Sequence, residues 1–332
     1  MGYLALAGTG ELDANTVLEK DHHATPGAGE VAVAIEAAPV NPADFLLAAG
    51  WYGVQPSEGM ALGSEGVGRV TEIGPGVDPS LLGARVIFLA NYKQGTWAHR
   101  VVASASSVVA VPEGGDVLQM AMLSINPATA HLLLSRYGTD LKPGSWVGQT
   151  IGNSAVGRYV IALAKLAGFR TLSVVRREEA AREVKELGGD AVVLEGEGLV
   201  GRIADVLDGE PLDIVFDGQG GDVVTDLATV LRPGGTVVAY SSVTGEPQVI
   251  GLGDLIYKEA TLTGFWLINW VRSAPRTEIE AVYHHLAALV VDGTLTVPTG
   301  ATFPLEHFHE AFAAASGRDR TGKVLFTPGE LS

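Results

Sequence analysis

The stretch SWVGQTIGNSAVG, residues 145–157, decides the fold. Its first half, SWVGQTI (145–151), reads as a strand that is apolar on both faces. Its second half, IGNSAVG (151–157), is a glycine-rich turn leading into the helical pattern Val156, Tyr159, Val160, Leu163, Leu166, with Gly168 placed to end it. Gly152, Ser154 and Gly157 occupy the positions of a GxGxxG turn, with serine replacing the middle glycine. Such a turn lets the chain reverse sharply, approach a pyrophosphate and offer helix N-terminal N–H groups to its charge. The same letters also describe a purely structural turn. The surroundings favour the dinucleotide reading.

Downstream, strand and helix alternate. TLSVV (171–175), AVVL (191–194), LDIVFDG (212–218), TVVAY (236–240) and TLTGF (261–265) are strand candidates, and helices are expected over 178–187, 199–207 and near 222–231. Doubly apolar strands joined through helices imply a parallel sheet covered on both sides. A further helix is expected over 277–293. Upstream, residues 1 to about 120 read as short strands and turns: Val31, Val33 and Ile35 alternate with small residues before Pro39 and Pro42, and Gly66–Ile73, Ala84–Leu89 and Val101–Val102 follow, with a helical piece near 43–48. GKVLF (322–326) reads as a last strand returning to this first domain.

The end of the second strand bears on which dinucleotide is bound. An NAD site usually carries an acid there for the ribose hydroxyls. VVRRE puts Arg176 and Arg177 there instead, beginning 24 residues after Gly152. Guanidinium groups attract and fork onto a 2′-phosphate, so NADPH is expected, with Arg176 as the principal contact. Two arginines opening a helix are also common solvent-facing decoration.

Composition narrows the classes. The chain has 332 residues, 47% of them apolar, and a formal net charge of −16, with mean hydropathy +0.25 and pI near 4.8. Two domains fit that length. Long-range attraction has the wrong sign for nucleic acid or an anionic membrane. Cysteine is absent, which removes disulfides and every thiolate-ligated metal. His22 and His23 are adjacent, yet no HExxH and no compact histidine set occurs, so no metal is expected. MGYLALAGTGELD lacks a basic n-region and a long apolar core, and no segment is long enough to span a bilayer; a cytoplasmic protein is expected.

Several motifs, in order, are similar to the medium-chain dehydrogenase/reductase superfamily. GSEGVGRVTEIGPGV (63–77) lies close to its Gly-x-Glu-x-x-Gly signature, with Ser64 where the zinc alcohol dehydrogenases carry histidine. VNPADF (40–45), GWYG (50–53), GTW (95–97), INPATA (125–130), NSAVG (153–157), VVRR (174–177) and FWLINW (265–270) resemble the zinc-free branch, above all its mitochondrial-type trans-2-enoyl thioester reductases. NADPH:quinone reductases share much of the framework, including a GxY loop near Tyr52. The resemblance implies a GroES-like, mostly β catalytic domain (1–120 plus about 295–332) and a Rossmann NADPH-binding domain (about 121–294). It also implies an active site in the cleft between them and a homodimer.

By that resemblance Tyr52 matches the tyrosine contacting the reacting end of the substrate. Asn126 matches the nicotinamide region, Asn153, Ser154, Ala155 and Val156 the pyrophosphate loop, and Arg176 the 2′-phosphate contact. Tyr240, Ser241, Ser242, Val243, Phe265, Trp266, Leu267, Ile268 and Lys323 match further cofactor-lining segments. Trp51, Phe265 and Trp266 become candidate substrate-pocket residues, while Trp270 reads as structural. The implied activity is NADPH-dependent saturation of the α,β double bond of acyl-CoA or acyl-carrier-protein substrates. The alternatives are quinone or enone reduction and a non-catalytic NADPH-binding protein. Tyr52 either donates to the thioester oxygen or relays the α-proton, or it packs over the nicotinamide and shapes the pocket. Glu65, in its glycine-rich turn, is expected to make structural hydrogen bonds, and Asp44 to cap or anchor its loop. A basic patch for coenzyme A is not evident beyond the scattered Arg272, Arg276 and Arg318.

Overall fold

The computed structural model describes residues 1–20, 24–317 and 322–329; His22, His23 and Arg318 lie outside them. The chain forms two compact units, Met1–Ala128 with Leu267–Ser332, and Thr129–Trp266.

In the second unit six strands make one parallel sheet in the order Ala191–Leu194, Arg170–Val175, Trp146–Thr150, Leu212–Asp217, Leu231–Ala239, Thr261–Gly264. The order reverses between Trp146–Thr150 and Leu212–Asp217, and such a reversal is where open α/β sheets bind ligands. Every residue of Trp146–Thr150 is buried, as expected of a central strand covered on both faces. Leu172, Val174, Val193, Leu212, Val215 and Val237 pack with Ile203, Val224 and Leu227 from the crossover helices Leu199–Val206 and Asp222–Thr229. The helix expected to reach 231 stops at Thr229, because Leu231 already pairs with Leu212 in the sheet.

The first unit holds a seven-stranded sheet. Along its main path lie Thr299–Phe303, Lys323–Phe326, Glu30–Pro39, Val67–Ile73, Arg85–Phe88 and Val108–Ala110, and Arg100–Ser104 also pairs with Glu30–Pro39. Leu325 and Phe326 pair antiparallel with Pro39 and Ala38, so the end of the chain returns to the first sheet. Trp97 and Phe312 each meet Phe326 edge-on and lie tilted against one another. Gly2–Leu6 and Thr16–Lys20 form a separate antiparallel pair.

The unit boundaries fall at 128/129 and 266/267, against about 120 and 295 in the sequence reading. The helix Arg276–Val291 accounts for the second difference. Its side chains are tied to first-unit backbone: Tyr283 Oη donates to Ser124 O at 2.9 Å, Arg276 donates to the carbonyls of Ser106 (2.9 Å) and Val108 (2.6 Å), and a ring nitrogen of His284 lies 3.1 Å from Ala110 O.

Candidate functional site

At the glycine-rich turn the left-handed residue is Ile151, with φ 45°, one position before the first glycine. A β-branched residue there is strained, and such strain concentrates at functional turns. Gly152 serves a different need. A Cβ on it would stand 2.5 Å from Ser173 Oγ, and one on Gly157 would stand 2.6 Å from the Gly152 carbonyl oxygen. The two glycines therefore let strand, turn and helix pack together. Ser154 caps the helix Ala155–Leu166, its Oγ accepting from Gly157 N at 3.1 Å. Ala155 and Val156 begin the helix whose N–H groups the turn presents.

Two groups beyond those expected from sequence hold this edge of the sheet. Gln149 Nε2 donates to Gly157 O (3.2 Å) and Ser173 Oγ (3.0 Å). The buried Asp217 carboxylate accepts from Thr150 Oγ1 (2.8 Å), Gln219 N (3.0 Å), Gly220 N (3.1 Å) and Gln248 Nε2 (3.1 Å). Asp217 thereby fixes the loop after its strand beside Tyr240, whose N–H donates to Asp217 O at 2.9 Å. A single aspartate in LDIVFDG carries no motif, so its role became visible only with the loops around it.

The residues present fit a phosphorylated dinucleotide. Arg176 and Arg177 are exposed at the end of Arg170–Val175. Among the described residues Arg176 makes no hydrogen bond or ion pair, while Arg177 helps hold the Glu179 carboxyl below its usual range, after that group's backbone hydrogen bond. The Tyr240 hydroxyl is enclosed without an aligned hydrogen bond; burial raises its pKa against the opposing Ser154 hydroxyl, so it remains a neutral donor. Ser241 and Val243 are exposed and Ser242 is half-buried, its Oγ donating to Glu246 O at 2.9 Å. Phe265 is buried edge-on against Tyr137, ring centroids 6.4 Å apart, and Trp266 is half-buried.

The first unit gathers the other candidates around buried charge. Asn41 precedes the short helix Pro42–Ala48, and Asp44 Oδ2 accepts from its backbone N–H at 2.8 Å. The Asn41 side chain donates to Glu65 Oε1 (2.9 Å) and accepts from Lys323 Nζ. Glu65 Oε2 accepts from Ile125 N at 2.8 Å, which fixes the chain next to Asn126, whose buried Nδ2 has no partner. An orphaned buried amide donor is rare, and this one fits the nicotinamide role. Burial raises the Asp44 pKa to about 6 against the opposing Asn41 and Ser64 hydrogen bonds and the Lys323 charge. Burial likewise raises Glu65, with Lys323 opposing it first.

Tyr52 stands half-buried beside this cluster, its ring centroid 5.4 Å from that of Tyr92. Trp51 points outward, 83% exposed. Leu267 and Ile268 are buried at the start of the helix Leu267–Ser273. Trp270 is structural, its Nε1 donating to Glu278 at 2.7 Å. Lys323 is drawn inward onto Asn41, so its charge serves the buried carboxylates. Among the described residues no group of three or more His, Cys, Asp or Glu is placed to hold a metal.

A parallel nucleotide sheet with a glycine turn and orphaned donors, together with a β unit carrying serine at the metal-ligand position, defines a zinc-independent dehydrogenase/reductase that uses NADPH. Residues 27–113 match the alcohol dehydrogenase GroES-like domain, and residues 155–287 match the zinc-binding dehydrogenase family. The rat mitochondrial enoyl-[acyl-carrier-protein] reductase is 33% identical over 86% of this chain and 78% of its own. A Bacillus thuringiensis protein assigned as an NADPH:quinone reductase superposes with TM-score 0.91 at 25% identity, over 98% of both chains. The Etr1p complex with NADP and crotonyl-CoA superposes with TM-score 0.85 at 25% identity, over 98% of this chain and 99% of that one; Etr1p is a mitochondrial 2-enoyl thioester reductase of Candida tropicalis. The chain belongs to the zinc-independent medium-chain dehydrogenase/reductases, among the mitochondrial-type enoyl thioester reductases. The cytoplasmic expectation is corrected here, because the matching enzymes of rat, mouse and human are mitochondrial. A missing leader pattern at the N-terminus does not decide compartment.

Proposed function

We infer that this protein reduces the α,β double bond of trans-2-enoyl thioesters at the expense of NADPH. The observation that carries this reading is its likeness, over most of its length, to curated enoyl reductases. When bound, NADPH supplies a hydride to the β-carbon. The chain's own task is to manage the charge that follows. Electron density moves to the thioester oxygen, and a preorganised donor there lowers the barrier. Tyr52 takes this part: its phenolic O–H donates to that oxygen, and its hydroxyl hands a proton to the α-carbon. Asn126 Nδ2 holds the nicotinamide amide, Ser154 and the helix N-terminus hold the pyrophosphate, and Arg176, supported by Arg177, forks onto the 2′-phosphate. Phe265 and Trp266 supply flat apolar surface for the acyl chain.

The test is NADPH oxidation with trans-2-butenoyl-CoA and longer enoyl-CoAs, set against a small benzoquinone, each repeated with NADH. Enoyl-CoA turnover with NADPH preferred, and recovery of the saturated thioester, is expected. Fast quinone turnover with negligible enoyl-CoA reduction would transfer the chain to the reading favoured by its Bacillus structural neighbour.

A homodimer completes the proposal. Thr261–Gly264 is an edge strand, and beside it Leu252, Leu255, Ile256, Tyr257 and Leu262 are exposed, Tyr257 at 86%. An apolar patch along an unpaired strand edge invites a second copy. Light scattering is expected to give twice the chain mass, and Ile256→Asp to lower it towards the monomer; an unchanged mass in that variant places the interface elsewhere.

A further inference from the structure

We propose that Asp44, Ser64 and Tyr92 form a buried relay that returns a proton to the Tyr52 hydroxyl in each turnover. The proposal rests on Tyr52 being the donor to the α-carbon, and it names what stands behind that donor. Four separate segments contribute: the helix Pro42–Ala48 carries Asp44, the turn before Val67–Ile73 carries Ser64, the loop after Arg85–Phe88 carries Tyr92, and the turn after Ala48 carries Tyr52, and the Tyr52 and Tyr92 rings are in contact, centroids 5.4 Å apart. Asp44 Oδ1, Ser64 Oγ and Tyr92 Oη are all buried without an aligned hydrogen bond. Three such oxygens in one place are unusual, because buried polar atoms are seldom left without an aligned hydrogen bond.

These oxygens are nevertheless neighbours. The Ser64 hydroxyl lies near enough to the Asp44 carboxyl to oppose its upward shift, and Tyr92 Oη lies near enough to both Tyr52 and Ser64 to feel each. Tyr92 reaches this position with φ 56°, a left-handed backbone that a tyrosine rarely adopts. Lys323, Glu65 and Asn41 face Asp44 from its other side.

The acidities run in the needed direction. Asp44, raised to about 6 by burial, still gives up a proton far more readily than an ordinary phenol does. Tyr92 is raised well above its ordinary value, first by burial, so it passes protons without staying ionised. As the Tyr52 O–H bond breaks and the α-carbon–H bond forms from the enolate electron pair, the Tyr92 proton moves to the Tyr52 oxygen. The Ser64 proton moves to Tyr92, and the Asp44 proton moves to Ser64. Asp44 is left as a carboxylate facing the Lys323 ammonium. After product leaves, one solvent proton entering at half-exposed Tyr52 restores the chain.

Asp44, Ser64 and Tyr92 are thus positioning residues acting through Tyr52. Full-length Tyr92→Phe and Ser64→Ala are compared with wild type using NADPH and trans-2-butenoyl-CoA. A fall in kcat of about 10-fold or more is expected, short of the roughly 10²–10⁴ that a general acid contributes in full. The solvent deuterium isotope effect should rise while NADPH Kd is unchanged, and Ser64→Thr should recover the rate. In wild type kcat should fall as pH rises through the Asp44 pKa, and Asp44→Asn should be slow and flat. A second reading needs no turnover: the infrared C=O band of protonated Asp44 should shift in Tyr92→Phe and Ser64→Ala. If Tyr52→Phe is inactive while Tyr92→Phe and Ser64→Ala keep wild-type kcat and isotope effect, the relay is overturned. If the wild type reduces quinones and not enoyl thioesters, the substrate reading fails by itself; the infrared band then decides, a shift supporting the relay and an unmoved band overturning it.

Discussion

At the scale of single residues, Arg176 is the sharpest discriminator between cofactors. It ends a strand with its guanidinium in solvent and, among the described residues, in no ion pair, so nothing in the protein competes for it. A bidentate contact to a dianionic 2′-phosphate is a charge-assisted hydrogen bond, worth about 1.5–3 kcal/mol. Arg176→Ala is therefore expected to weaken NADPH binding by about 10- to 100-fold and to change NADH binding little. Titration of both cofactors into the variant checks this, and equal losses for the two would assign the arginine another role.

At the scale of elements, the last strand is held to the first sheet by more than its ladder. Lys323 opens Lys323–Phe326 and puts its ammonium on Asn41, between Asp44 and Glu65. Removing one member of a buried charged group leaves the others uncompensated, at a cost of about 3–5 kcal/mol. Lys323→Met is expected to lose about that much at pH 8. Asp44, raised from 3.8 to about 6, is protonated below that range, so its stabilising share is complete below pH 3.8 and disappears as pH rises through 6. The variant should accordingly lose less at pH 5 than at pH 8; urea unfolding at the two values measures it, and a loss independent of pH would remove charge from the explanation. This cluster also marks how far the sequence could be read. The six parallel strands were legible because each is a short apolar run closed by turn residues, and Ser154 and Gly157 were legible from their spacing. Asp44 and Glu65 were legible as anchors of their loops. Their convergence with Lys323, some 260 residues further on, was not, because no local pattern encodes a contact made by sheet register. Tyr92 was missed for a similar reason: NYKQG reads as an ordinary polar loop, and only its left-handed backbone distinguishes it.

For the whole molecule, the net charge of −16 bears on which carrier brings the acyl group. Coenzyme A is a small polyanion that a local pair of arginines can hold, because screened fields decay over about 8 Å at physiological ionic strength. An acidic carrier protein presents charge over a broad face and meets the repulsion of the whole surface before any local contact forms. Arg276 is already engaged with Glu280 and with the carbonyls of Ser106 and Val108. The CoA thioester is therefore the expected substrate at low salt. Raising sodium chloride from about 20 to about 200 mM shortens the screening length roughly threefold, so kcat/KM for a carrier-protein-linked butenoyl group should rise several-fold. The same change should lower kcat/KM for butenoyl-CoA, whose binding depends on local cation–phosphate attraction. Steady-state rates with both substrates across that range provide the measurement. A carrier-protein rate that falls with salt would show that a basic docking face assembled from scattered arginines outweighs the field of the whole chain.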